Sequence, residues 1–138
     1  MEKFDLIKSR VKTIVGEIVG IKEYDDLDSL TDDLGYDSID FMQLRSNLSN
    51  EFNIDITPQI WFNFINEIQL DGRSEITLEI IDKWKDKLSE YHIEVPSELI
   101  ETIKQLSIKQ DLDSFSARVI SLININTITI LLIKLMKK

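Results

Sequence analysis

Residues 21–37 constrain the fold more than any other stretch. They lie between two segments of helical period, carry no such period themselves, and are crowded with turn formers: Asp25, Asp26, Asp28, Ser29, Asp32, Asp33 and Gly35. Before them, Phe4, Ile7, Val11, Ile14, Val15 and Ile18 recur at three- and four-residue steps, with Lys8, Arg10, Lys12 and Glu17 in between. That spacing predicts an amphipathic helix of about four turns. Gly20 is its expected stop, because glycine accepts the left-handed conformation past a helix end. After the acidic segment, Phe41, Leu44, Leu48 and Phe52 predict the inward stripe of a second helix, running from Ser38 to about Asn53. Ile39 and Met42 fall to one side of that stripe, near its N-terminal end. A loop this long inside a compact chain is usually functional. Leu27, Leu30 and Leu34 are its expected anchors to the core.

Further along, Ile54-Asp55-Ile56-Thr57-Pro58 ends the second helix, and Thr57 before Pro58 reads as an N-cap followed by proline at the first helical position. The next segment carries Ile60, Trp61, Phe62, Phe64, Ile65 and Ile68; its aromatic residues are expected in the core, with a wall around a bound apolar chain as the alternative. Helical spacing returns from Ser74 through Leu78, Ile81, Trp84 and Leu88. It returns again from Pro96 and Ser97 through Leu99, Ile100, Ile103 and Leu106. Asp111-Leu112-Asp113-Ser114 is an expected cap for a last helix with Phe115, Val119, Leu122 and Ile123. The run Ile120–Met136 is mostly isoleucine and leucine, but two asparagines and Lys134 interrupt it. It falls short of a membrane span, which needs about 20 nearly unbroken apolar residues. A buried or partner-binding continuation of the preceding helix is the expectation, with an interfacial membrane contact or a strand as alternatives.

Charge and cysteine content exclude several functions. The net charge is −9, and residues 1–60 hold 6 Lys and Arg against 13 Asp and Glu. Such acidity argues against nucleic-acid binding, which needs clustered basic residues. It suits docking against basic protein surfaces, or simply solubility. With no cysteine, disulfides, thiol nucleophiles and cysteine-ligated metals are ruled out. The acids of the loop lack the glycine and glutamate spacing of an EF-hand, so no metal site is expected. His92, the one histidine, has no partner at metal-ligand spacing. No leader-like apolar run opens the chain, so a cytoplasmic location is the default.

The stretch Asp32-Asp33-Leu34-Gly35-Tyr36-Asp37-Ser38-Ile39-Asp40, followed by an apolar helix and an I-x-I-x-P exit, resembles the attachment site of the acyl carrier proteins. The resemblance covers residues 2–58. It implies an all-α, acyl-carrier-like helical bundle and a 4'-phosphopantetheine arm on Ser38, with no catalysis by the chain itself. It also implies a phosphopantetheinyl transferase and acyl-transferring or acyl-ligating enzymes as partners, meeting Asp37, Ile39, Asp40 and Met42. The Leu44-Arg45 pair is similar to the E-L-R of carriers in polyketide assembly lines, although Gln43 stands where glutamate is usual. Gln43, Ser49 and Asn50 occupy positions where the family often carries acids, which weakens the usual charge docking.

Beyond residue 58 the chain is longer than the family pattern. Residues 1–138 are expected to form a single domain, with 67–110 an extra helical insertion. Two segments compete for the role of closing helix, 74–89 and 114–123. Specialised carriers of very long acyl chains are similar in having a tryptophan just after the exit, as at Trp61, and an enlarged region before the last helix. Two alternatives to an acyl carrier stay open: a peptidyl or aminoacyl carrier, and a helical interaction protein with a vestigial site. A bare Asp-Ser before a helix is more often plain capping than a modification site, so the weight falls on Leu34, Gly35 and Asp40 around it.

Overall fold

A computed structural model describes residues 2–69, 78–93, 95–101 and 119–137. Every regular element among them is helical, as the apolar periods predict. The long helices are α1 (Glu2–Val19), α2 (Ser38–Phe52), α3 (Pro58–Gln69), α4 (Leu78–Glu90) and α5 (Ile125–Met136). Residues 97–101 add a short helical piece.

The helix ends follow from local chemistry. Past α1, Gly20 adopts φ +73° and the Ile21 N–H donates to the Gly16 carbonyl at 2.9 Å, the wrapped ending that a left-handed residue permits. Asn53 ends α2 in the same conformation at φ 52°, with the Ile54 N–H on the Ser49 carbonyl. Thr57 caps α3 as expected, its hydroxyl accepting from the Ile60 N–H at 3.2 Å. The expected start of α4 at Ser74 lies outside the described residues, as do Ile103, Leu106 and the cap at 111–114.

α1 is the central element, packing against α2 on one side and α5 on another, while α3 packs against α4. The buried apolar side chains of the described residues form one cluster running from Ile7 to Leu132. It includes a chain of aromatic contacts: Tyr36 to Phe41, Phe41 to Trp61, Trp61 to Phe64 and Phe64 to Tyr91, with centroids 5.2–6.1 Å apart. Trp61 and Phe64 are core, as expected, but Phe62 is 53% exposed. Phe62 lies one residue from Trp61, about 100° round the helix, and so leaves the buried face. Trp84 ties α4 to α3 by donating its indole N–H to the Ile68 carbonyl at 2.7 Å.

The C-terminal run departs from expectation. It does not continue the preceding helix: residues 121–124 break it, and Asn124 starts α5 afresh. The Asn124 side chain accepts from the Asn126 and Thr127 N–H groups, and the Thr127 hydroxyl accepts in return from the Asn124 N–H. This reciprocal cap satisfies the otherwise orphaned donors of a buried helix start. Ile125, Ile128, Leu131 and Leu132 are buried, and α5 lies on α1. Of the described helices other than α2, this is the one that packs extensively on α1; of the two segments expected to compete for the closing role, 74–77 and 114–118 lie outside the described residues. Asn124, one of the asparagines that interrupt the apolar run, is with Thr127 its starting signal. No helix among the described residues is long and apolar enough to cross a membrane.

The acidic segment is held at several points. Leu30 is fully buried, its N–H donating to the Ile123 carbonyl at 3.0 Å and its carbonyl accepting from the Tyr36 N–H at 2.8 Å. Leu34 is buried beside it. The Tyr36 hydroxyl donates to the Val15 carbonyl at 2.8 Å, and the Tyr24 hydroxyl to the Lys12 carbonyl. Burial pushes both phenols above their ordinary pKa. Leu27, an expected anchor, is instead 75% exposed. It sits in the turn closed by the Asp28 N–H on the Asp25 carbonyl, next to Asp26, whose carboxylate is clamped by Lys8 and Lys12. With Asp26 drawn onto α1, the following side chain points outward.

Replacing Ile128 by alanine should destabilise the protein by about 2–5 kcal/mol, since it empties a fully buried site against α1; chemical denaturation followed by circular dichroism measures this. The hydrogen bond from Lys12, then that from Lys8, lowers the Asp26 pKa. Its stabilising effect is therefore complete above the ordinary Asp value of about 3.9 and is lost as pH falls through the lowered folded value. Asp26→Asn should flatten the loss of stability below about pH 4, as read from acid titration of the denaturation midpoint.

Candidate functional site

The start of α2 gathers four of the five residues singled out from the sequence. Asp37 is the N-cap, extended at φ −113° and ψ −175°, and its side chain accepts from the Asp40 N–H at 2.9 Å. The Asp40 carboxylate accepts in return from the Asp37 N–H at 3.1 Å. Each carboxylate thus satisfies one backbone donor, and both carry negative charge to the end of the helix where the backbone dipole favours it. The sequence signal for this pair was the D-x-x-D spacing of Asp37 and Asp40, a carboxylate form of the capping box.

Ser38 is the first helical residue, not the cap. Capping is done by Asp37, which leaves the Ser38 hydroxyl without a structural duty. Ser38 is exposed and no hydrogen bond to its hydroxyl occurs among the described residues. Its own N–H and that of Ile39 meet no acceptor there either. A phosphate ester formed on Ser38 would have these two backbone donors and the positive helix end within reach. Gly35 turns the chain ahead of the serine at φ +78° with its N–H on the Thr31 carbonyl. A side chain there would meet nothing within 4 Å, so the left-handed backbone, not crowding, explains the glycine.

Ile39 is 76% exposed directly after the serine. Met42, one turn on, is half-buried and packs against the core, so it reaches the surface only in part. His92 belongs elsewhere: it is exposed at φ 58° after α4 and stacks on Phe4 at 5.5 Å. Among the described residues no group of acidic or histidine side chains is arranged to hold a metal ion.

Residues 9–66, from α1 into α3, match the family model described as the phosphopantetheine attachment site. These residues are a phosphopantetheine-binding domain. Such a domain is the site of the 4'-phosphopantetheine prosthetic group, and the match supports a phosphopantetheine-carrier role in general terms. No solved structure matches the chain. The phosphopantetheine-binding domain ends within α3, so α4, residues 95–101 and α5 lie beyond the matched region, even though α5 packs on α1 inside it.

Several residues that fix the site were not apparent as such in the sequence. Tyr24 and Tyr36 pin the loop through hydroxyl donations to α1, and Ile123 anchors it through a backbone carbonyl. A tyrosine among aspartates reads as loop composition, and a backbone bond across more than 90 residues leaves no trace in spacing.

The division of labour between neighbours is testable. Asp37→Ala should destabilise the protein by about 1 kcal/mol through loss of the cap. Ser38→Ala should stay within about 0.5 kcal/mol of the parent, because its hydroxyl bonds nothing. Urea denaturation of the two variants measures both.

Proposed function

We propose that Ser38 carries the 4'-phosphopantetheine arm and that the protein shuttles acyl groups as thioesters for fatty acid, lipid or polyketide synthesis, performing no catalysis itself. The observation that supports this most is the exposed, unbonded hydroxyl at the first position of a helix that Asp37 already caps. The phosphate diester formed there is favoured by the unpaired Ser38 and Ile39 N–H groups and by the helix dipole, worth roughly 0.3–1 kcal/mol when exposed. The bound arm supplies a thiol at the end of a flexible tether.

The chain's own residues present and position. Gly35 turns the loop through its left-handed backbone, the Asp37–Asp40 pair fixes the helix start, and the buried Leu30, Leu34 and Tyr36 hold the loop to the core. The described contacts of His92, the one histidine, do not reach Ser38, so no imidazole base of this chain activates its hydroxyl. A phosphopantetheinyl transferase is the source of that base, and its basic residues meet the second oxygens of Asp37 and Asp40. Ile39, with the exposed part of Met42, forms the apolar contact beside the arm.

Incubation of the protein with coenzyme A and a phosphopantetheinyl transferase should add the mass of one arm, read by intact mass spectrometry. Ser38→Ala should abolish the gain while helical content stays unchanged. Modification persisting in the variant would move the site, and no gain in the parent protein would mark the site as vestigial. Loading of the modified protein by an acyl ligase but not by an aminoacyl-activating enzyme separates an acyl from a peptidyl carrier.

A further inference from the structure

The acidity of the chain is concentrated in the loop, and much of it is already engaged there. Asp26 is paired with Lys8 and Lys12, Asp28 accepts from the Asp25 N–H, and Asp33 from the Ser29 N–H. Along α2 the acids stop at Asp40 and resume only at Glu51, which is ion-paired to Arg10. Between them Arg45 is the one charged residue, and it turns inward to donate to the Ile56 carbonyl at 2.6 Å. The outward line of α2 from the serine onward is Ile39, Gln43, Asn47 and Asn50, none of them charged.

Two of these side chains bond to each other: the Gln43 amide donates to the Asn47 side-chain oxygen at 2.8 Å, an i,i+4 pair that modestly favours one arrangement of both. The pattern recurs on α3, where Gln59 donates to Asn63 at 2.8 Å beside the exposed Phe62. The first turns of the two helices are linked through the Phe41 and Trp61 rings, 6.1 Å apart.

We infer that the α2 face beyond the first turn selects its protein partners by apolar and amide contacts centred on Ile39, Gln43 and Asn47, and not by ion pairs. The partner is an enzyme whose docking surface offers an apolar recess for Ile39, rimmed by hydrogen-bonding groups and without a basic patch along α2. Charge matching argues for this: a basic surface laid along α2 would be desolvated without gaining a counter-charge. Basic contacts are confined to the turn of Asp37 and Asp40. The inference rests on the carrier reading and names the chemistry of its partners.

The test is the rate of Ser38 modification by a broad-specificity phosphopantetheinyl transferase, with the whole chain as substrate. Raising NaCl from about 0.05 M to about 0.5 M should change KM by less than about threefold, since screening weakens docking in proportion to the exposed ion pairs that make it. Ile39→Ala should raise KM about fivefold or more and Gln43→Ala about twofold to threefold, with kcat unchanged. Circular dichroism of both variants should match the parent protein, which separates docking from folding. A salt-induced rise in KM of about tenfold, or an unchanged KM in Ile39→Ala, overturns the inference while leaving the carrier reading intact. Absence of any modification of the parent protein overturns the carrier reading itself, and the inference with it.

Discussion

The peptide of Leu30 is the fixed point on which the functional turn depends. Its N–H bonds to Ile123, just ahead of the C-terminal helix, and its carbonyl bonds to Tyr36, just ahead of the serine. The side chain between them is fully buried. A long acidic segment has little reason to adopt one conformation by itself, because ordering each residue costs about 1–2 kcal/mol of backbone entropy. One buried leucine, two backbone bonds and two tyrosine hydroxyls on α1 supply the counterweight. What they deliver is a set position for Asp37, and hence a helix that begins with its first serine facing water.

That arrangement separates two tasks often given to one residue. A serine at a helix start commonly bonds the first-turn N–H groups, and a hydroxyl so engaged is a poorer acceptor of a covalent group. Here the aspartates on either side take the structural task, and the serine between them stays free. The same economy appears in the loop, where acids that look from composition like a docking surface are largely bonded to backbone donors or to α1 lysines.

Much of the first half was legible in the sequence. The period of Ile7, Val11, Ile14 and Val15 and that of Phe41, Leu44 and Leu48 map directly onto buried faces, because a helix that turns a stripe to the core and the rest to water keeps a helical rhythm. Gly35 and Asp37 announced themselves through backbone chemistry. The failures share a cause. Leu27 and Phe62 were assigned inward by hydropathy alone, whereas a neighbouring residue had already fixed the orientation: Asp26 on its lysines, Trp61 in the core. In the C-terminal run, hydropathy masked the start of a new helix, since Asn124 and Thr127 act through backbone geometry within a uniformly apolar context. Gln43 stood out as a departure from the family pattern, but its bond to Asn47 leaves no mark in the sequence.

The bond from Leu30 to Ile123 has an architectural corollary. It brings the entrance to the final helix against the loop that leads to the serine, so the two ends of the matched and unmatched portions are stitched at one place. The described segments between α3 and that stitch belong to the same core: α4 lies on α3, and Trp84, Leu88 and Tyr91 join the buried cluster. The entrance to the final helix is thus one backbone bond removed from the loop that sets the start of α2, although more than 90 residues separate them along the chain.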